Sequence, residues 1–108
     1  MTVKQLIDAC GLTAAALPNG ERAVSGVYIG DLLSWVMGRA GADEAWITIM
    51  SNRNVVAVAT LADTACIILA EGVVPDEGVA ALATEKGVNI LQSDLSAYEI
   101  ALRLHDVL

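Results

Sequence analysis

The stretch WITIMSNRNVVAVATLADTACIILAEG, Trp46–Gly72, decides the fold of this chain. It holds three apolar runs, separated only by Ser-Asn-Arg-Asn and Ala-Asp-Thr. The outer two, "AWITIM" and "ACIILA", are short and β-branched. "ACIILA" shows no alternation, which suits a strand buried on both faces of a parallel sheet. The middle run, "VVAVATLA", has two readings. As a strand it forms a hairpin with the first run, and the branched Cβ of valine favours this. As a helix it turns the second half of the chain into βαβαβα, a right-handed parallel wind with regular spacing. Asn54 then stands where a cap is needed. The topological argument outweighs local propensity, and the run is read as a helix.

The rest of the chain fits that frame. "TVKQLIDAC" places Val3, Leu6, Ile7 and Cys10 on one face, with Thr2 as cap and Gly11 as stop. "LTAAAL" leads into the turn "PNGER", and "AVSGVYI" reads as a strand. "GDLLSWVMGRAG" reads as a helix capped by Asp31. "VPDEGVAALATEKG" has Pro and acids where a first helical turn is expected and Gly87 at its end. "VNIL" is a further strand. "SDLSAYEIALRLHDVL" closes the chain as an amphipathic helix, with an expected Glu99–Arg103 ion pair and Ser96 or Asp94 as cap.

A chain of 108 residues suits one domain, residues 1–108. Hydrophobic residues make up 56% of it, more than a single core of this size ordinarily needs, so a subunit interface is expected to share them. No apolar run is long enough to span a bilayer. The opening residues lack the basic and apolar regions of a signal peptide. Thirteen acids against six bases give a net charge of −7, which argues against nucleic acid as a partner. Two isolated cysteines, Cys10 and Cys66, read as reduced and buried thiols. Together these features point to the cytoplasm.

"VSGVYIGDLLSWVM", the Trp46–Gly72 stretch and "VNILQSDLSAYEIALRLHDVL" resemble the DRTGG-domain family in its short stand-alone form, over nearly the whole chain. Related domains occur beside CBS domains in regulated pyrophosphatases and are similar to the N-terminal domain of HPr kinase/phosphorylase. The resemblance implies a single α/β domain, with a mainly parallel β-sheet flanked by helices. It also implies dimers, a helical Val55–Asp63, and no catalytic residues. The Asp-Arg-Thr-Gly-Gly string that names the family is absent, and neither "GDLLSW" nor "SNRN" replaces it.

The chemistry agrees with a non-enzyme. There is no phosphate-binding loop, since Lys4 and Lys86 are the only lysines and neither follows a glycine-rich loop. His105 is the sole histidine, and no serine sits in a nucleophile elbow. No metal site is expected from two cysteines and one histidine, and no cofactor motif is present. Asp31, Asp63 and Asp94 fall near element ends, where cap and turn roles account for them.

The candidate ligand site is positional. In a parallel α/β sheet ligands sit at the carboxyl ends of strands, against helix N-termini. Those positions are Gly30 and Asp31, Ser51, Asn52, Arg53 and Asn54, Glu71 and Gly72, and Gln92, Ser93 and Asp94. Arg53 beside free helix amides is a candidate for receiving a small anionic ligand or a nucleotide. Two helices, "VVAVATLA" and "LLSWVM", are apolar well beyond one stripe. Trp35, Met37, Val56 and Leu61 are therefore the candidate residues of a homodimer interface. The expected function is a regulatory or ligand-sensing domain, dimeric and acting on a partner enzyme, with a small-ligand binder as the rival.

Overall fold

The computed structural model describes all of residues 1–108. The disputed run is a helix. In chain order the first elements are α1 (Val3–Cys10), β1 (Thr13–Ala16), β2 (Gly26–Ile29), α2 (Leu33–Arg39) and β3 (Glu44–Thr48). There follow α3 (Asn54–Ala62), β4 (Cys66–Leu69), α4 (Val79–Lys86), β5 (Ile90–Gln92) and α5 (Ala97–Val107).

The five strands form one sheet in the order β1-β5-β4-β3-β2. Strands β2 to β5 run parallel, each beside its successor, while β1 joins β5 antiparallel. The sheet is therefore mixed, with a parallel majority. Because β2 to β5 follow one another in a single direction, crossovers of one hand place α2, α3 and α4 on the same face. Their side chains Val36, Val55, Val58, Val79 and Ala83 pack there against Trp46, Ile67, Leu69 and Ile90. The opposite face carries α1 and α5, whose Val3, Leu6, Cys10, Ile100 and Leu104 meet Ala45, Ile47, Cys66, Ile68 and Leu91. Successive strand residues point to opposite faces. The unalternating "CIIL" of β4 is thus buried along its whole length, as a central strand between two helical layers must be.

Some local expectations are met as read and others by different residues. Thr2 caps α1 in a full capping box with Gln5, and Gly11 ends it at φ 66°. At the start of α3, however, Asn54 is not the cap. The Asn52 side-chain oxygen accepts from the Asn54 amide at 2.9 Å, and the Asn52 carbonyl accepts from Val55 at 3.1 Å. Asparagine reaches an amide two residues ahead through an Asx turn, so the cap comes from before the helix. Asp31 does not cap α2 either. Its carboxylate accepts from the Thr48 hydroxyl at 2.8 Å and the Ile49 amide at 3.1 Å, binding the end of β2 to the end of β3. Helix α2 starts at Leu33 without a side-chain cap.

The Pro75-Asp76-Glu77 segment lies ahead of α4 rather than in its first turn. The expected Glu99–Arg103 ion pair is absent: Arg103 Nη1 donates instead to the Cys10 carbonyl at 3.0 Å, satisfying the carboxyl end of α1. Ser96, not Asp94, caps α5 by accepting from the Glu99 amide. Strand β1 had no counterpart among the expected strands, because Thr-Ala-Ala-Ala carries little β preference; pairing with β5 draws it out.

Trp46 is fully buried in the core, where its indole N–H donates to the Gly30 carbonyl at 2.8 Å. Both cysteines are free and buried. Burial pushes the Cys66 thiol up to about 12, with only a weak opposing pull from Arg22, so it stays protonated. An ion triad braces the amino ends of the strands. Arg22 donates to Asp43 Oδ1 at 2.9 Å, and to the Asp63 carboxylate and carbonyl at 2.8 and 2.6 Å. Asp63 thereby ends α3 in the left-handed region, φ 59°, rather than contributing to a metal site.

Candidate functional site

The surface carries the outer side of α2, an apolar groove between β2 and α5, and a crevice at the carboxyl rim. On α2, Leu32 is 59% exposed, Trp35 55% and Met37 45%. The Arg39 guanidinium stacks on the Trp35 ring at 4.1 Å, in the i,i+4 relation, and leaves the rest of the ring open. Ile29, also exposed, lies on the other face of the sheet, where it lines an apolar groove of about 530 Å³ with Val27, Tyr98 and Leu102. The other two residues chosen from the sequence as interface candidates are placed differently. Val56 is 2% exposed, covered within the single chain, so it offers no surface to a partner. Leu61 is 69% exposed, but it lines a groove between α3 and α4 with Val56 and Leu82 rather than continuing the α2 surface.

The eight candidate ligand residues do not form one site. Gly30 and Asp31 are engaged at the ends of β2 and β3, as described. The Ser51 hydroxyl donates to Asp76 at 2.7 Å, and the Asp76 amide donates back to the Ser51 carbonyl. The Asn52 side chain accepts from the Asn54 amide just before α3. Arg53 has no ion-pair partner and borders a hollow of about 360 Å³ that also holds Glu77 and Glu85. Asn54 borders the α3–α4 groove beside it. Ser93 and Asp94 are elsewhere, in the crevice.

That crevice has a topological origin. From β4 the chain passes to α4 on one face of the sheet, and from β5 to α5 on the other. Where neighbouring parallel strands send their connections to opposite faces, the loops part and leave an opening at the carboxyl ends. Here the opening has about 410 Å³ and is lined after β4 by Gly72, Val73 and Val74, and after β5 by Ser93, Asp94 and Leu95. Its floor is fixed by the Glu71 amide on the Leu95 carbonyl at 2.8 Å and the Gly72 amide on the Ser93 carbonyl at 2.9 Å. Glu71 and Gly72 both adopt positive φ, 62° and 75°, which turns the chain sharply out of β4. Gln92, Ser93, Asp94 and Gly72 were legible as strand-end positions. Thr13, Gly11 and Arg103, which complete the lining, were not: they arrive from the unforeseen strand β1, from the end of α1 and from α5. A helical arginine off the inner stripe with a competing i−4 acid gives no sequence signal for this role.

No group of three His, Cys, Asp or Glu side chains is placed to hold a metal ion. No helix is long and apolar enough to cross a membrane.

The DRTGG domain matches residues 13–107 of the chain. No curated protein matches it in sequence. Among solved structures the fold is similar to the CBS and DRTGG domains of the regulatory region of Clostridium perfringens pyrophosphatase, complexed with its activator diadenosine tetraphosphate. The TM-score is 0.74 at 10% sequence identity, over 95% of this chain and 45% of that one. The chain thus spans less than half of the regulatory region it is similar to.

Proposed function

This chain belongs to the DRTGG-domain family of regulatory, non-catalytic modules, and we propose on that premise that it is a cytoplasmic homodimer that regulates a partner enzyme. The observation that carries this reading is the apolar outer side of α2. Leu32, Trp35 and Met37 stand out from one short helix, and nothing else in the chain covers them. Isolated exposed side chains are ordinary, but a half-exposed tryptophan on a helix that also exposes Leu32 and Met37 is the kind of anchor interfaces are built around. A two-fold axis through α2 would bring each Trp35 against its counterpart's apolar surface, with Arg39 at the polar rim. The solved neighbour supports the regulatory half of the reading, because there a DRTGG domain forms part of an enzyme's regulatory region.

Light scattering at micromolar concentration tests the dimer. The expected mass is twice the 11.2 kDa of the chain, falling to a single chain in Trp35→Glu. A wild-type monomer at every concentration tried would overturn it.

A further inference from the structure

We propose that the crevice between the carboxyl ends of β4 and β5 binds a small zwitterion of amino-acid type, its carboxylate on Arg103 and its ammonium on Asp94. The inference does not rest on self-association, since the crevice belongs to one chain and lies away from α2.

The argument starts from charge. Arg103 and Asp94 line the same cavity, yet the ion pairs of the molecule all involve Arg22, so these two unlike charges pair neither with one another nor with any other side chain. Each is seated over a glycine of positive φ. A Cβ on Gly11 would come within 3.1 Å of Arg103 Nη1, and one on Gly72 within 3.3 Å of Asp94 Oδ1. Both residues are exposed, and bare backbone at these two points leaves room for each charged group beside the cavity. The Arg103 guanidinium is held by its bond to the Cys10 carbonyl, which uses Nη1 and leaves other N–H groups to take a carboxylate.

The remaining lining narrows the class. Thr13, Gln92 and Ser93 supply neutral hydrogen-bonding groups, while Val73, Val74 and Leu95 supply an apolar side suited to an aliphatic substituent. A cavity of about 410 Å³ falls in the range of small-molecule sites. A simple anion would satisfy Arg103 but meet the Asp94 carboxylate unpaired. A polyphosphate would set several negative charges against one guanidinium, beside Asp94 and in a chain of net charge −7. Only a ligand carrying both signs matches both walls.

Thermal-shift and calorimetric titration of the full chain with the common L-amino acids tests this, with isobutyrate, isobutylamine, inorganic phosphate and diadenosine tetraphosphate as controls. At least one aliphatic amino acid is expected to bind and raise the melting temperature, and the single-charge controls are not. Asp94 makes no hydrogen bond of its own, so Asp94→Asn keeps the fold and should weaken binding by about tenfold or more, the value of a lost charge-assisted bond. Arg103→Gln should do the same. The proposal fails if no amino acid binds, if binding is indifferent to Asp94→Asn, or if phosphate or diadenosine tetraphosphate binds through Arg103 while amino acids do not.

Discussion

Helices α3 and α2 are alike in apolar character and opposites in the fold. "VVAVATLA" and "LLSWVM" are each apolar around most of their circumference. Yet α3 buries Val55, Val56, Val58, Ala59 and Ala62, whereas α2 fully buries only Val36. The difference is one of place. All three helices of this face lie side by side over strands that run in sequence order, so α3 has α2 on one flank and α4 on the other. Helix α2 lies over the β2 end of the sheet and has a helical neighbour on one flank only. An apolar circumference is a structural need in the middle slot of a layer and a surplus in the end slot. Periodicity alone does not separate the two cases, because it records how much of a helix wants cover and not how much the layer provides.

The largest effect that can break this comparison is a charge in the covered helix. Val56→Asp places a carboxylate among buried apolar side chains with no partner, at a position 2% exposed. Unpaired burial of that kind costs several kcal/mol, on the order of the whole stability of a small domain. The variant is expected to lose its cooperative thermal transition in circular dichroism, or to be recovered only in the insoluble fraction. A soluble variant melting at the wild-type temperature would mean that α3 is not held as described.

The counterpart on α2 should behave quite differently. Trp35→Glu removes a half-exposed ring and its stacking on Arg39, a contact of about 0.5–1 kcal/mol at such sites. The subunit should stay folded, with native circular dichroism. Association adds stability that depends on protein concentration. The wild-type melting temperature is therefore expected to rise with concentration, and that of Trp35→Glu to stay constant. If Trp35→Glu unfolds as Val56→Asp does, the two helices are equally covered and the contrast between them disappears.

The sequence carried the parallel half of the fold well, and the reason is physical. Strands buried on both faces must be apolar throughout, and the helices between them need start and stop residues, so "AWITIM", "ACIILA" and Gly87 are unambiguous. It did not carry β1. Thr13–Ala16 is a strand because β5 offers it an edge, and an edge supplied by residues some eighty positions away leaves no local trace. The same gap hid the crevice. Strand-end reasoning located Gly72, Gln92, Ser93 and Asp94, but the choice among four loops depended on which face α5 takes after β5. That in turn depends on α1 leaving room beside it. Thr2, Gly11, Gly87 and Ser96 cap as expected, but two other residues stand in the right neighbourhood with a different partner. Asp31 and Asn54 are polar groups at element ends, but their hydrogen bonds are set by loop geometry within one or two residues, which spacing does not resolve.

The smallest effect sharpens the comparison at the point where α3 begins. Its first turn has Arg53 at the cap position with no side-chain bond, and the Asn52 oxygen instead receives the Asn54 amide at 2.9 Å. Asn52→Ala leaves that amide to water and is expected to cost about 1 kcal/mol, in the range of lost helix caps. Asn54→Ala should change stability by less than about 0.5 kcal/mol, because the Asn54 side chain bonds to nothing and alanine is the better helix former. Chemical denaturation of the two variants in parallel would measure the difference, with equal slopes required so that midpoints can be compared. The order matters more than the values. If Asn54→Ala proved the costlier change, the helix would begin one residue later than described, at Val55. Arg53 would then stand in the loop before it, and the hollow it shares with Glu77 and Glu85 would have a different shape. If Asn52→Ala is the costlier, the covered helix is anchored from outside its own first turn, whereas α2, with no side-chain cap at Leu32, has no such anchor.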